Sequence, residues 1–194
     1  MFDPLSATMT RVWLCGLADI PIDTYKYLLK NELWPFASDY GDGSGWARYS
    51  PIHVCVARTM RKLVDKESFG LSWALAAHIA HGGASGFYCV LKDRYGELAD
   101  AESAKLLAAP WTDRSKDLWT GYARISPANA FDDEDGWTLP CGTYASLAKV
   151  IEAPPGDDAV DMIHQVNLSQ IVRGLETRGR SLKIKFPFDQ SLVE

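Results

Sequence analysis

Apolar positions recur along the chain at helical spacing through its first eighty residues, and less regularly beyond. Val12, Leu14, Cys15 and Leu17 supply the apolar content of a short helix over about 11–18, with Thr10 placed to cap it. Asp19-Ile20-Pro21 interrupts the pattern, because a residue before proline is disfavoured in the helical region. Asp23 then stands as cap for a second helix, over Thr24 to Leu33. Tyr25, Leu28, Leu29 and Leu33 fall at i, i+3, i+4 and i+8 on its inner face. Thr24, Lys26, Tyr27, Lys30 and Asn31 are left on its other faces, and Trp34-Pro35 ends it.

The stretch YGDGSG at 40–45 is rich in glycine, which reaches positive φ at little cost, as a tight hairpin requires. Trp46 to Tyr49 reads as the returning strand. Ser50-Pro51 opens a third helix to about Lys66, with serine as cap and proline at the first helical position. Ser72 caps a fourth, through about Ala80. Gly82, Gly83, Ser85 and Gly86 read as a flexible joint, and a domain boundary is expected there, giving segments 1–83 and 84–194.

Past the joint, Phe87 to Leu91 reads as a strand, 101–108 as a short helix and Trp119 to Ile125 as a strand. Residues 132–135 form an acidic loop, Tyr144 to Ile151 fits either strand or helix, and Pro154-Pro155-Gly156 is a break. Asn167-Leu-Ser-Gln170 resembles a capping box opening a helix with Leu168, Ile171, Val172 and Leu175 on one face. Ser181 to Phe186 alternates as a strand. The expected fold class is therefore α+β, a mainly helical N-terminal unit followed by a small α+β domain of self-association, effector-binding or partner-binding role.

At residues 19–50 this pattern resembles the N-terminal winged helix-turn-helix of MerR-like transcription regulators. That family has a recognition helix built like V-S-x-x-T-L-R-Y-Y, a Leu-x-Pro exit, a glycine-bearing wing ending near R-x-Y, and then a helix pair. Here IPIDTYKYL, LWP and GDGSGWARYS stand at the corresponding places, and Pro51 to Ala80 at the helix pair, with F-G-L-S as its joint. The chain departs from the family at Asp23, where a basic residue is common, and at Leu28, where a second tyrosine is. It departs again at GGASG, where a long dimerising helix often begins. The resemblance implies a sequence-specific DNA-binding transcription regulator with the second helix in the major groove and the 40–50 wing on phosphates. The candidate DNA-binding residues are Thr24, Lys26, Tyr27, Lys30, Arg48, Tyr49 and Arg58. Lysine supplies a point charge and tyrosine a hydroxyl, both suited to phosphate oxygens. For the helix residues the alternative is a solvated face, and for Arg48 a plain hairpin with a surface arginine. A solvated face is the simpler reading of Arg58 and Lys62 at i, i+4.

Charge changes this picture only in its distribution. The net charge is −5, but residues 1–83 carry eight basic and eight acidic side chains, 84–172 carry seven and fourteen, and 173–194 carry five and three. The acidity belongs to the middle of the chain, which leaves either end able to present local positive potential. Four widely spaced cysteines without a CxxC pair suggest reduced, mostly buried thiols in a cytoplasmic protein. No apolar run reaches the roughly 18 residues of a membrane span, and MFDPLSATMT is not patterned as a secretory signal.

His78 and His81 lie at i, i+3, but a dipole-favouring helix end explains them more simply than a metal. Trp111, Trp119 and Trp137 are candidates to line a pocket, with core or rim packing the plainer assignment. No nucleotide-binding, hydrolase or metalloprotease motif is present, so the reading is a binding protein, not an enzyme, with no cofactor or metal. Its expected partners are double-stranded DNA, a second copy as dimer or adjacent on DNA, and an unidentified small-molecule or protein effector. The rival readings are an architectural DNA-binding protein of phage or mobile-element type and a winged-helix protein-interaction module.

Overall fold

In the computed structural model seven helices and a three-stranded antiparallel sheet make an α+β fold, mostly helical, within the described residues, which are 9–36, 48–96, 114–126, 136–152, 159–184 and 186–187. The expected hairpin tip at 40–45, the 101–108 helix, Trp111, the 132–135 loop and the 154–156 break lie outside them.

Helix α1 spans Arg11–Ala18 and starts as its sequence predicts, with the Thr10 side chain accepting the Trp13 N–H. It ends because Asp19 adopts a left-handed conformation (φ 64°), which lets the Ile20 N–H return to the Cys15 carbonyl at 3.0 Å. Helix α2 covers Ile22–Lys30, starting two residues before the expected Thr24 and stopping three before Leu33. Pro21 occupies the cap position with no side-chain hydrogen bond, so Asp23 lies inside the first turn instead of capping it. The early stop follows from Glu32, whose positive φ of 56° cannot continue a helix.

Helices α3 (Pro51–Val64) and α4 (Trp73–Gly82) form the expected pair, and Gly70 between them holds φ +66°, a value that favours glycine. Ser50 and His53 make a reciprocal cap: the Ser50 N–H donates to His53 Nδ1 at 2.8 Å.

The chain then departs from expectation. Residues 87–91 are not a strand; helix α5 runs Ala84–Tyr95, and Phe87, Val90, Leu91 and Tyr95 are buried at i, i+3, i+4 and i+8. The preceding glycines serve close packing. A Cβ on Gly86 would lie 2.4 Å from Leu168 Cδ1 and 2.7 Å from Cys141 Sγ, and one on Gly83 would meet Leu168 and Thr120 at 3.1 Å. One hydrophobic core extends across position 83, joining Leu14, Leu17, Tyr25 and Met60 to Phe87, Leu91, Leu168 and Val172.

Strand β1 (Leu118–Ser126) is central, with β2 (Gly136–Thr143) on one side and β3 (Ala159–Asn167) on the other, both antiparallel to it. Helix α6 (Tyr144–Glu152) connects β2 to β3 and resolves the ambiguous 144–151 segment as helical. Side chains alternate across β1. Leu118 and Tyr122 pack toward the main core, while Trp119 and Ala123 join Leu139, Leu147 and Ile151 in a second cluster beneath α6.

The last helix, α7, spans Leu168–Leu182, with Asn167 capping the Gln170 N–H at 2.8 Å and Leu168, Ile171, Val172 and Leu175 buried as predicted. Residues 181 and 182 continue this helix; they are not the start of a strand. The turn closes at Lys183 (φ 58°), and Ile184 and Phe186 fold back into the core, the Ile184 N–H bonding the Gly179 carbonyl at 2.8 Å. Helix α7 packs against α1, α3, α5 and β1. It carries the C-terminal part of the chain back onto the N-terminal helices.

Candidate nucleic-acid interface

Helix α2 has two unlike faces. Tyr25 and Leu28 point into the core, while Asp23, Lys26, Tyr27 and Lys30, at i, i+3, i+4 and i+7, form a continuous exposed strip. Lys26 Nζ stands 3.2 Å from Asp23 Oδ1, but both groups are well exposed, so the pair holds its lysine only weakly. Tyr27 is 50% exposed, and Thr24 lies half-buried at the edge of the strip. Arg48 is exposed, one residue from the segment that anchors the expected wing.

That anchor is a short antiparallel bridge between Met9 and Tyr49, with hydrogen bonds of 2.8 and 2.9 Å in the two directions. It places Tyr49 in the core instead of on a DNA-facing surface. Tyr49 is 2% exposed, its hydroxyl lies 2.8 Å from that of Tyr25, and its ring meets Tyr25 edge-on at 6.0 Å. Tyr49 thus couples the segment before α3 to α2 from the inside. Trp34 joins the same aromatic group, 5.1 Å from Tyr25.

Arg58 also turns inward. It neither sits on a solvated face nor reaches out alone: its guanidinium donates to the Ala18 carbonyl at 3.2 Å and stands 3.3 Å from Asp19 Oδ2. Arg178 approaches the same place from α7, donating through Nε to the Gly16 carbonyl and through Nη2 to Asp19 Oδ1, both at 2.7 Å. Two arginines, one from α3 and one from α7, therefore satisfy carbonyls that the end of α1 leaves without helical partners. They fix the turn from which α2 departs. Arg178 is not among the candidate residues that the sequence singles out. Its partner stands 159 residues earlier in the chain, and no local pattern marks such a pairing.

His78 packs edge-on against Tyr122 at 5.7 Å and His81 against Phe36 at 5.3 Å, and no group of three metal-ligating side chains occurs among the described residues. Burial raises the Cys15 and Cys55 thiols above their ordinary range, with the Arg11 guanidinium acting the other way on Cys15. Of the other cysteines, Cys89 is exposed on α5 and Cys141 is half-buried in β2, so only two of the four are fully buried. No described helix is long and apolar enough to cross a membrane.

Lys26, Tyr27 and Lys30 thus stand together on one helical strip, with Thr24 at its edge; Arg48 is exposed, and Tyr49 and Arg58 turn inward. No protein-family model matches the chain, and comparison with curated proteins finds no match either.

Proposed function

We propose that the chain is a sequence-specific DNA-binding transcription regulator with a MerR-like winged helix-turn-helix, and that α2 is its recognition helix. The observation that carries this reading is the α2 strip. Lys26, Tyr27 and Lys30 face solvent on a helix whose opposite side is packed into the core and whose preceding turn is held by Arg58 and Arg178. A rigidly based helix with cations and a hydroxyl outward can enter a major groove and reach the flanking phosphates. Arg48 supplies a further phosphate contact from the wing. A single module of this kind buries only about 600–1,000 Å² on DNA, so the working unit is a dimer or adjacent copies.

Salt dependence of duplex binding tests the reading. Three lysine or arginine contacts to phosphate give a slope of about −2.7 in log K against log salt, and Lys26→Ala, Lys30→Ala or Arg48→Glu each reduces it by about one unit or more. Affinity that stays flat between low and moderate salt would refute phosphate contact. Selection of bound duplexes from a random pool reads out the rest: a symmetric motif gives both sequence specificity and dimer geometry. One observation favours a protein-interaction module instead. Val12, Ile22 and Tyr27 are apolar and exposed on α1 and α2. Salt-independent duplex binding together with self-association through these residues would establish that second reading.

A further inference from the structure

An open cleft of about 350 Å³ lies where the α1–α2 turn meets α3 and α7, lined by Cys15, Asp19, Ile20, Pro21, Arg61 and Arg178. Its charges are unbalanced. Asp19 is the sole carboxylate of the lining, and its two oxygens are already shared between Arg58 and Arg178. Arg61 is half-buried in the wall and has no hydrogen bond or ion pair among the described residues. Capping the end of α1 accounts for Arg58 and Arg178 and leaves Arg61 unexplained. Arg58 and Arg178 hold Asp19 between them, and Arg61 lines the same cleft. Asp19 is taken by its two partners, so an incoming anion meets in Arg61 a cation with no ion pair among the described residues.

The geometry suits an oxyanion. Guanidinium groups donate to phosphate or carboxylate oxygens, and the cleft is lined by one arginine of α3 and one of α7. Asp19 is 49% exposed on its side chain and Arg178 32%, so the group can be reached from solvent. The volume lies within the range of small-ligand sites and exceeds what a bare anion fills.

We infer that this cleft is a phosphate-binding site. Arg61 and Arg178 hold the phosphate oxygens, and Asp19 is the internal anion that keeps Arg178 in position and competes with the ligand. The phosphate group belongs either to a small phosphorylated molecule or to a nucleic-acid backbone. The inference goes beyond the DNA-binding reading and does not rest on it, since inorganic phosphate alone is the first probe.

The test titrates the full chain with sodium phosphate against sodium chloride at matched ionic strength, by calorimetry and thermal unfolding. Saturable binding is expected, with Tm raised by about 3–6 °C at ten times Kd. Arg61→Gln weakens phosphate binding at least about tenfold, the scale of one charge-assisted contact, and leaves Tm in chloride unchanged. Asp19→Asn, a residue that also accepts the left-handed backbone, tightens binding by removing the competing charge. If Arg61→Gln also weakens a short duplex and phosphate competes with that duplex, the group is a backbone phosphate; if duplex affinity is unchanged, it belongs to a free phosphorylated molecule. Phosphate affinity unaltered by Arg61→Gln, or no saturable effect beyond chloride, overturns the site. Unchanged or weaker binding in Asp19→Asn overturns the competing role of Asp19.

Discussion

Replacing Arg178 with methionine tests whether the C-terminal helix fixes the helix-turn-helix. Methionine keeps much of the aliphatic stem and removes the guanidinium, so packing loss is separated from the loss of hydrogen bonds. Two contacts disappear, both at 2.7 Å: Nε to the Gly16 carbonyl and Nη2 to Asp19 Oδ1. In a buried setting each hydrogen bond from a charged donor contributes about 1.5–3 kcal/mol. Here the side chain is about one-third exposed, so solvent screens the Asp19 pair to roughly 0.2–1 kcal/mol. The Gly16 bond and the favourable position of a cation at the end of α1 add about 1 kcal/mol or slightly more. Arg58 stays on Asp19 and limits the damage. The expected loss is about 1–2 kcal/mol, or a Tm lower by about 2–8 °C for a chain of this size. Urea titration reads it as a lower midpoint with an unchanged slope. Arg180→Met, at an exposed position on the same helix, is the control and stays within about 0.5 kcal/mol. A loss below about 0.5 kcal/mol in Arg178→Met would refute the claim that α7 secures the α1–α2 turn.

Tyr49→Phe removes a buried hydroxyl contact with Tyr25 and lowers stability in urea by about 1 kcal/mol, while duplex affinity holds within about twofold; a large loss of affinity at unchanged stability would move Tyr49 to the interface. Gly121→Ala places a Cβ 2.3 Å from the His164 carbonyl oxygen, pushing β1 from β3 and costing about 1–3 kcal/mol, visible as a lower urea midpoint. Burial, reinforced by the Glu176 charge, raises the Tyr95 phenol well above its ordinary value of 10.0. The folded chain therefore holds that proton longer than the unfolded one, and the stabilisation is complete below about pH 10 and is lost as pH rises beyond it. Thermal unfolding across pH 8–11 should show a steeper alkaline decline for the parent than for Tyr95→Phe, and parallel profiles would contradict the assignment.

The helices with strong local signals were legible from sequence because their defining bonds span four residues. Thr10, Ser50, Ser72 and Asn167 stand where caps are needed, and the apolar periods of α2 and α7 predict their buried faces, while in α1 Leu14, Cys15 and Leu17 are buried and Val12 is exposed. The exposed strip of Lys26, Tyr27 and Lys30 follows from the same period, since burying Tyr25 and Leu28 turns those three outward. Strand β1 was also visible, but β2 and β3 were not. A strand is stabilised by its ladder partner, and Trp119 pairs with Asn167 across a separation that no local window covers. The β-prone run Phe87–Leu91 became helix because Phe87, Val90 and Leu91 meet a core on one side only, and Gly83 and Gly86 let α7 and β2 approach that closely.

Side-chain roles divide the same way. The family resemblance offers Tyr49 as a DNA contact and spacing leaves Arg58 on a solvated or phosphate-reaching face, whereas the bridge to Met9 draws Tyr49 inward and the end of α1 captures Arg58. Asp19 and Arg178 meet only because α7 returns to the N-terminal helices, and Arg61 stands beside them without a partner among the described residues for the same reason. The outward face of α2 is written in a repeat of 3.6 residues. Which charges stand beside one another is settled by the packing of distant helices, because an ion pair depends on distance in space and leaves no periodic trace along the chain.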